Sequence, residues 1–128
     1  MFSHVTLGTN DFMRATAFYD AVFATLGIPR FYSEEGHAGY GEPRASQTWI
    51  VYPFDGKSAS IGNGTHIAYL AADRGTVRAF YETALANGGS DEGAPGPRPH
   101  YHENYYAAYV RDPDGNKLQA VCHSSEAA

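Results

Sequence analysis

Two histidines, His4 and His66, stand at the same point of two copies of one sequence pattern. Shifting the chain by 62 residues lays 3–27 on 65–89 without a gap, and seven of the 25 pairs are identical. Roughly one or two identities would arise by chance. The seven are His4/His66, Asp11/Asp73, Ala17/Ala79, Phe18/Phe80, Tyr19/Tyr81, Ala24/Ala86 and Gly27/Gly89. If the copies pair about a pseudo-twofold axis, the two imidazoles converge on it, and neutral ring nitrogens there are suited to a divalent cation. The alternative is a pair of ordinary strand histidines inherited from one ancestor.

A second group, His100, Tyr101, His102, Tyr105 and Tyr106, follows a stretch with Pro95, Pro97 and Pro99 at alternate positions. Histidine and tyrosine can donate to a substrate oxygen or carry protons. Strand alternation turns Tyr105 and Tyr106 to opposite faces, so that one of them faces a cavity. A tyrosine-rich strand flanked by surface histidines accounts for the same residues. Arg98 could hold an anionic group, or simply be solvated. His37, near a turn, and His123, near the end, receive no role. The lone Cys122 rules out an intramolecular disulfide, and its apolar surroundings suggest a buried thiol over a catalytic one.

The elements that must position these groups also repeat. Residues 2–8 and 65–70 alternate as strands, and each leads to a helix-start signal at Asp11 or Asp73. Phe12, Ala15, Phe18, Tyr19, Val22, Phe23 and Leu26 recur at helical spacing up to Gly27, as do Val77, Phe80, Tyr81, Ala84 and Leu85 up to Gly88. These stripes predict core-facing helices. Extended segments follow at 30–34, 39–42 and 47–52 in the first copy, and at 105–111 and 117–123 in the second. Asp112-Pro113-Asp114-Gly115 reads as a tight turn between the last two. The proline pattern excludes an ordinary central strand at 91–104 and suggests a semi-rigid lid beside a pocket, or else a plain surface connection. The prediction is one α+β domain of two βαβββ modules, about 1–62 and about 63–126, too small to fold separately.

Composition narrows the partners. With 43% apolar and 18% charged residues the 128-residue chain can bury one core. Nine Lys plus Arg, scattered against 14 Asp plus Glu, leave no basic surface for a phosphate backbone, so nucleic acid is not expected. No apolar run is long enough to span a membrane and no leader pattern opens the chain. A cytoplasmic protein without a membrane partner is expected.

Ser3-His4-Val5-Thr6-Leu7, Ala17-Phe18-Tyr19-Asp20, Gly64-Thr65-His66-Ile67-Ala68 and Asp112-Pro113-Asp114-Gly115-Asn116-Lys117-Leu118 resemble the vicinal oxygen chelate superfamily of glyoxalases, extradiol dioxygenases and bleomycin-resistance proteins. The resemblance spans the chain. It implies an incurved eight-stranded mixed sheet around a central cavity, and a homodimer. It also implies metal ligands on the first and last strand of each module. His4 and His66 match two of them. The third position, a glutamate in the family, is Gln119 here, and a fourth acid would fall around Trp49 or Ile50, where none stands. An amide is neutral and a poor base, which weakens both glyoxalase-type proton shuttling and a two-histidine, one-carboxylate iron site.

Two functions follow from the resemblance. One is a lyase, isomerase or dioxygenase using Zn, Ni, Mn or Fe, held by His4, His66 and Gln119, on a small oxygenated molecule. The other is a metal-free binding protein that sequesters a planar compound, as bleomycin-resistance proteins do. Trp49, His100, Tyr101, Tyr105 and Tyr106 are the pocket candidates.

Overall fold

The computed structural model describes residues 1–125; the last residue of the expected second module, 126, lies outside the described residues. The first copy forms β1 (His4–Gly8), α1 (Phe12–Thr25), β2 (Arg30–Glu34), β3 (His37–Gly41) and β4 (Gln47–Val51). The second forms β5 (His66–Leu70), α2 (Arg74–Ala86), β6 (Ser90–Pro97), β7 (Tyr106–Arg111) and β8 (Lys117–Cys122). The duplicated aspartates start both helices: the carboxylate of Asp11 accepts from the Arg14 amide, and that of Asp73 from the Thr76 amide. Each satisfies an amide that the first helical turn leaves without a partner.

The eight strands make two four-stranded mixed sheets, ordered β1-β4-β3-β2 and β5-β8-β7-β6. In each, the first strand pairs in parallel with the last, and β1 and β5 are edges with no hydrogen bonds to one another. The helices cover one face. Phe18, Tyr19, Val22 and Phe23 of α1 and Val77 and Phe80 of α2 are fully buried against Tyr40, Ile50, Val110 and Leu118. The other face carries His4, Thr6 and Trp49 in the first sheet, and exposed His66 and Ala68 beside buried Gln119 in the second.

The proline-rich stretch is divided. Residues 90–97 form an edge strand whose register on β7 shifts twice, and only 98–105 connect it to β7 as a loop. An edge position explains why a strand survives its prolines: a missing amide there costs no ladder bond on the outer side.

The Asp-Pro-Asp-Gly turn does more than reverse the chain. Asp114 accepts from the Asn10 amide at 2.9 Å, the Thr9 hydroxyl and, at 3.2 Å, the Arg14 guanidinium. Asn116 donates to the Gly8 carbonyl at 3.0 Å, and buried Asp112 accepts from the Tyr19 hydroxyl. The end of the second module thereby grips the β1–α1 junction of the first. Burial pushes the Asp112 carboxyl up from its usual range, opposed by the hydrogen bonds from Tyr19 and Asn116.

Candidate functional site

Register fixes the relation between the modules. Thr6 pairs with Trp49 and Ala68 pairs with Gln119, and Thr6 and Ala68 are equivalent under the 62-residue shift. Trp49 is therefore the counterpart of Gln119, so the pseudo-symmetric site carries an indole on one side and an amide on the other.

In the second sheet Gln119 is 1% exposed, and both ends of its amide are engaged. His66 Nε2 donates to Gln119 Oε1 at 3.0 Å, and Gln119 Nε2 donates to the Tyr105 hydroxyl at 2.6 Å. With the proton on Nε2, the lone pair of neutral His66 sits on Nδ1. Tyr109, opposite Gln119 in the ladder, places its phenol beside that of Tyr105. Its ring meets the edge of His66 at 5.7 Å and lies between two cations, Arg98 at 5.7 Å and Lys117 at 5.3 Å. Desolvation, with the neighbouring Tyr105 and Tyr101, pushes the Tyr109 phenol up to about 12. Tyr109 is thus held as the neutral phenol and is flanked by positive charge.

The first sheet offers an aromatic wall. Trp49 packs against Phe31 and Tyr32 at 5.6 and 5.4 Å, and its indole N–H donates to Gln47 Oε1 at 2.9 Å. Gly39 lies directly under the indole, where a Cβ would come within 2.9 Å of the ring. Over this face runs a groove of about 700 Å³ lined by His4, Gln47, Trp49, Tyr52 and Phe54 among others. A second groove, of about 680 Å³, opens between the modules along β1 and β5 and is lined by His4, Gln47, Thr48 and His66. His4 and Gln47 border both.

The remaining candidates separate. Tyr105 reaches Gln119, whereas Tyr106 is buried on the helix side, under Arg74 at 4.8 Å and bonded to Arg78 at 3.3 Å. His100 and Tyr101 stack at 4.2 Å in the exposed loop, and Tyr101 meets Tyr105 at 4.8 Å. Arg98 turns its guanidinium onto the carbonyls of Ala94 and Gly96. Cys122 is buried, with long contacts to Ala72 O and Ser124 O.

His4, exposed and bonded to Ser3 at 2.8 Å, joins His66 and Gln119 in offering three neutral donors and no anion. Gln119 Oε1 and the proton on His66 Nε2 are already committed to each other, and Trp49 supplies no fourth ligand. Among the described residues no three His, Cys, Asp or Glu gather into a cation-holding group. Three neutral donors, one of them an amide oxygen already accepting from His66, make a weaker cation site than a set that includes a carboxylate. Sequence reasoning passed over Tyr109, Lys117 and the contact between His102 and His123. Period-two alternation from Tyr105 points to Tyr109; Lys117 reaches the site only through its register with His66.

The chain belongs to the glyoxalase/bleomycin resistance protein/dioxygenase superfamily, whose family model matches residues 1–120. A glyoxalase/bleomycin resistance protein from Albidiferax ferrireducens is similar at 38% identity, with 97% of this chain and 99% of that one covered and a TM-score of 0.88. The fold is shared at 20% identity with a lactoylglutathione lyase from Agrobacterium tumefaciens, over 95% and 92% of the two chains, at a TM-score of 0.68. It is shared at 19% with a fosfomycin resistance protein from Mesorhizobium loti, over 97% and 92%, at 0.67. No curated protein matches. No helix among the described residues is long and apolar enough to cross a membrane.

Proposed function

We propose that the protein binds a planar, oxygen-bearing small molecule on the open faces of its sheets, through stacking and hydrogen bonds and without a resident cation at His4, His66 and Gln119. The observation that carries this reading is the buried Gln119 amide, held by His66 on one side and Tyr105 on the other. A ligand position would keep its donor atom free. The Trp49 wall offers a flat apolar surface, and the His66, Tyr109 and Lys117 side offers donors and positive charge for ligand oxygens. This combination selects polarity and flatness and supplies no strong base, in keeping with a sequestering protein.

Equilibrium dialysis of tag-free protein against Ni²⁺ or Zn²⁺ tests it. The wild type, His4→Ala and His66→Ala should bind the same amount of metal. A stoichiometric ion retained by the wild type and lost in both variants would overturn the reading in favour of a metal-dependent lyase, isomerase or dioxygenase.

A further inference from the structure

Outside the grooves, where the loop 98–105 meets the chain just beyond β8, two solvent-exposed imidazoles face each other. His102 Nε2 and His123 Nδ1 are 2.8 Å apart, with ring centroids at 5.1 Å. The Asn104 amide donates to His102 Nδ1 at 3.1 Å, so the neutral His102 ring carries its proton on Nε2 and donates it to His123 Nδ1. Tyr105 lies edge-on to both rings, at 5.3 and 5.4 Å, while its hydroxyl accepts from Gln119.

We propose that His102 and His123 form a binding site for one borderline divalent transition-metal ion, of the Ni²⁺, Cu²⁺ or Zn²⁺ kind, distinct from the cavity. Two nitrogens bound at about 2.1 Å to one ion are about 3.0 Å apart at a right angle and about 3.4 Å apart in a tetrahedron. Their observed separation is within a few tenths of an ångström of the first. His123 Nδ1 already presents a lone pair. His102 presents one when its proton moves from Nε2 to Nδ1, which gives up the bond from the Asn104 amide to water. The exchange consumes no oxidant or reductant: the bond between the rings and the bond from the Asn104 amide are given up, and two metal–nitrogen bonds form. Among the described residues no third His, Cys, Asp or Glu joins the pair, so water completes the shell. Two neutral ligands and two lost hydrogen bonds point to micromolar affinity, in the order Cu²⁺ above Ni²⁺ and Zn²⁺, with Mg²⁺ and Ca²⁺ excluded by their demand for oxygen. The ion would fasten the loop to the end of β8 and hold the Tyr105 ring that meets Gln119.

Calorimetric titration of NiCl₂ into tag-free protein, pretreated with chelator, decides the matter. One ion per chain should bind in the wild type, in His66→Ala and in Gln119→Leu, and affinity should fall at least tenfold in His102→Gln and in His123→Gln. Both histidines are exposed, and circular dichroism checks that the variants fold. Independently of any variant, substoichiometric Cu²⁺ should broaden the ring resonances of His102 and His123 before those of His4, His37, His66 and His100. No binding by the wild type, equal affinity in the His102 and His123 variants, or first broadening at another histidine would each overturn the proposal.

Discussion

Gln119 decides what its surroundings can do. A carboxylate there would be an anion beside His66; the amide instead accepts from one neighbour and donates to the other, so its neutral oxygen is turned to the His66 N–H. Replacing it with leucine leaves the His66 N–H and the Tyr105 hydroxyl without their partner. Gln119→Leu should cost about 1–3 kcal/mol, read by urea unfolding, with Tyr105→Phe costing less because only one bond is lost. Gln119→Glu should also destabilise, because a charge replaces a neutral group in a buried position. The sequence alone carries the substitution at this position. It does not carry the pairing with His66 and Tyr105, which lie 53 and 14 residues away and meet only through strand register. The contact of His102 with His123 was illegible for the same reason.

At the scale of elements, the Asp-Pro-Asp-Gly turn shows how a local motif acquires a distant role. Its turn chemistry is legible in four residues, and its grip on the first module is not, since Thr9, Asn10 and Arg14 are about a hundred residues away. Asp112→Ala would leave the Tyr19 hydroxyl and the Asn116 amide buried without an acceptor. Thermal or urea unfolding should show a loss of roughly 2–4 kcal/mol. The helices, by contrast, were readable almost to their ends, because periodicity and the duplicated caps Asp11 and Asp73 act within a single turn. The prolines of 91–104 argue against a central strand and so suggest a lid, yet 90–97 is a strand. It pairs with β7 on one side only, a distinction that depends on strand order and so on the whole sheet.

At the scale of the molecule, the gapless repeat foretold two equivalent modules and eight strands. How the modules meet is set by side chains that the repeat does not share. Tyr69, at the junction, packs on Phe23 at 5.1 Å and bonds to Thr48 at 2.9 Å. Burial pushes its phenol up to about 12. A phenol raised in the folded state contributes stability that is complete below pH 10 and is lost as pH rises through its folded value. For Tyr69 this amounts to roughly 2–3 kcal/mol. Absorbance at 295 nm should therefore leave Tyr69 and Tyr109 neutral at pH 11 in the folded protein, with cooperative unfolding releasing them as pH approaches 12. The unpaired edges β1 and β5, together with Phe2, Phe54 and Leu70, which are 70, 108 and 74% exposed, leave apolar surface for a second copy to cover. Sedimentation equilibrium should find a dimer, and Phe54→Ser or Leu70→Ser should shift it toward monomer.

Trp49 is the single tryptophan of the chain and forms the wall of the groove, so its emission reports on what enters. The most direct measurement is a titration of chelator-treated protein with a panel of flat oxygenated aromatics (phenols, naphthols and hydroxybenzoates), followed by that emission and repeated with added Zn²⁺ or Ni²⁺. Saturable one-to-one quenching by at least one compound is expected, with the same affinity whether or not metal is present and weaker binding in His66→Ala. Binding that appears only when metal is added and vanishes in His4→Ala would contradict a metal-free site, and the absence of saturable binding across the panel would contradict a site for planar, oxygen-bearing ligands.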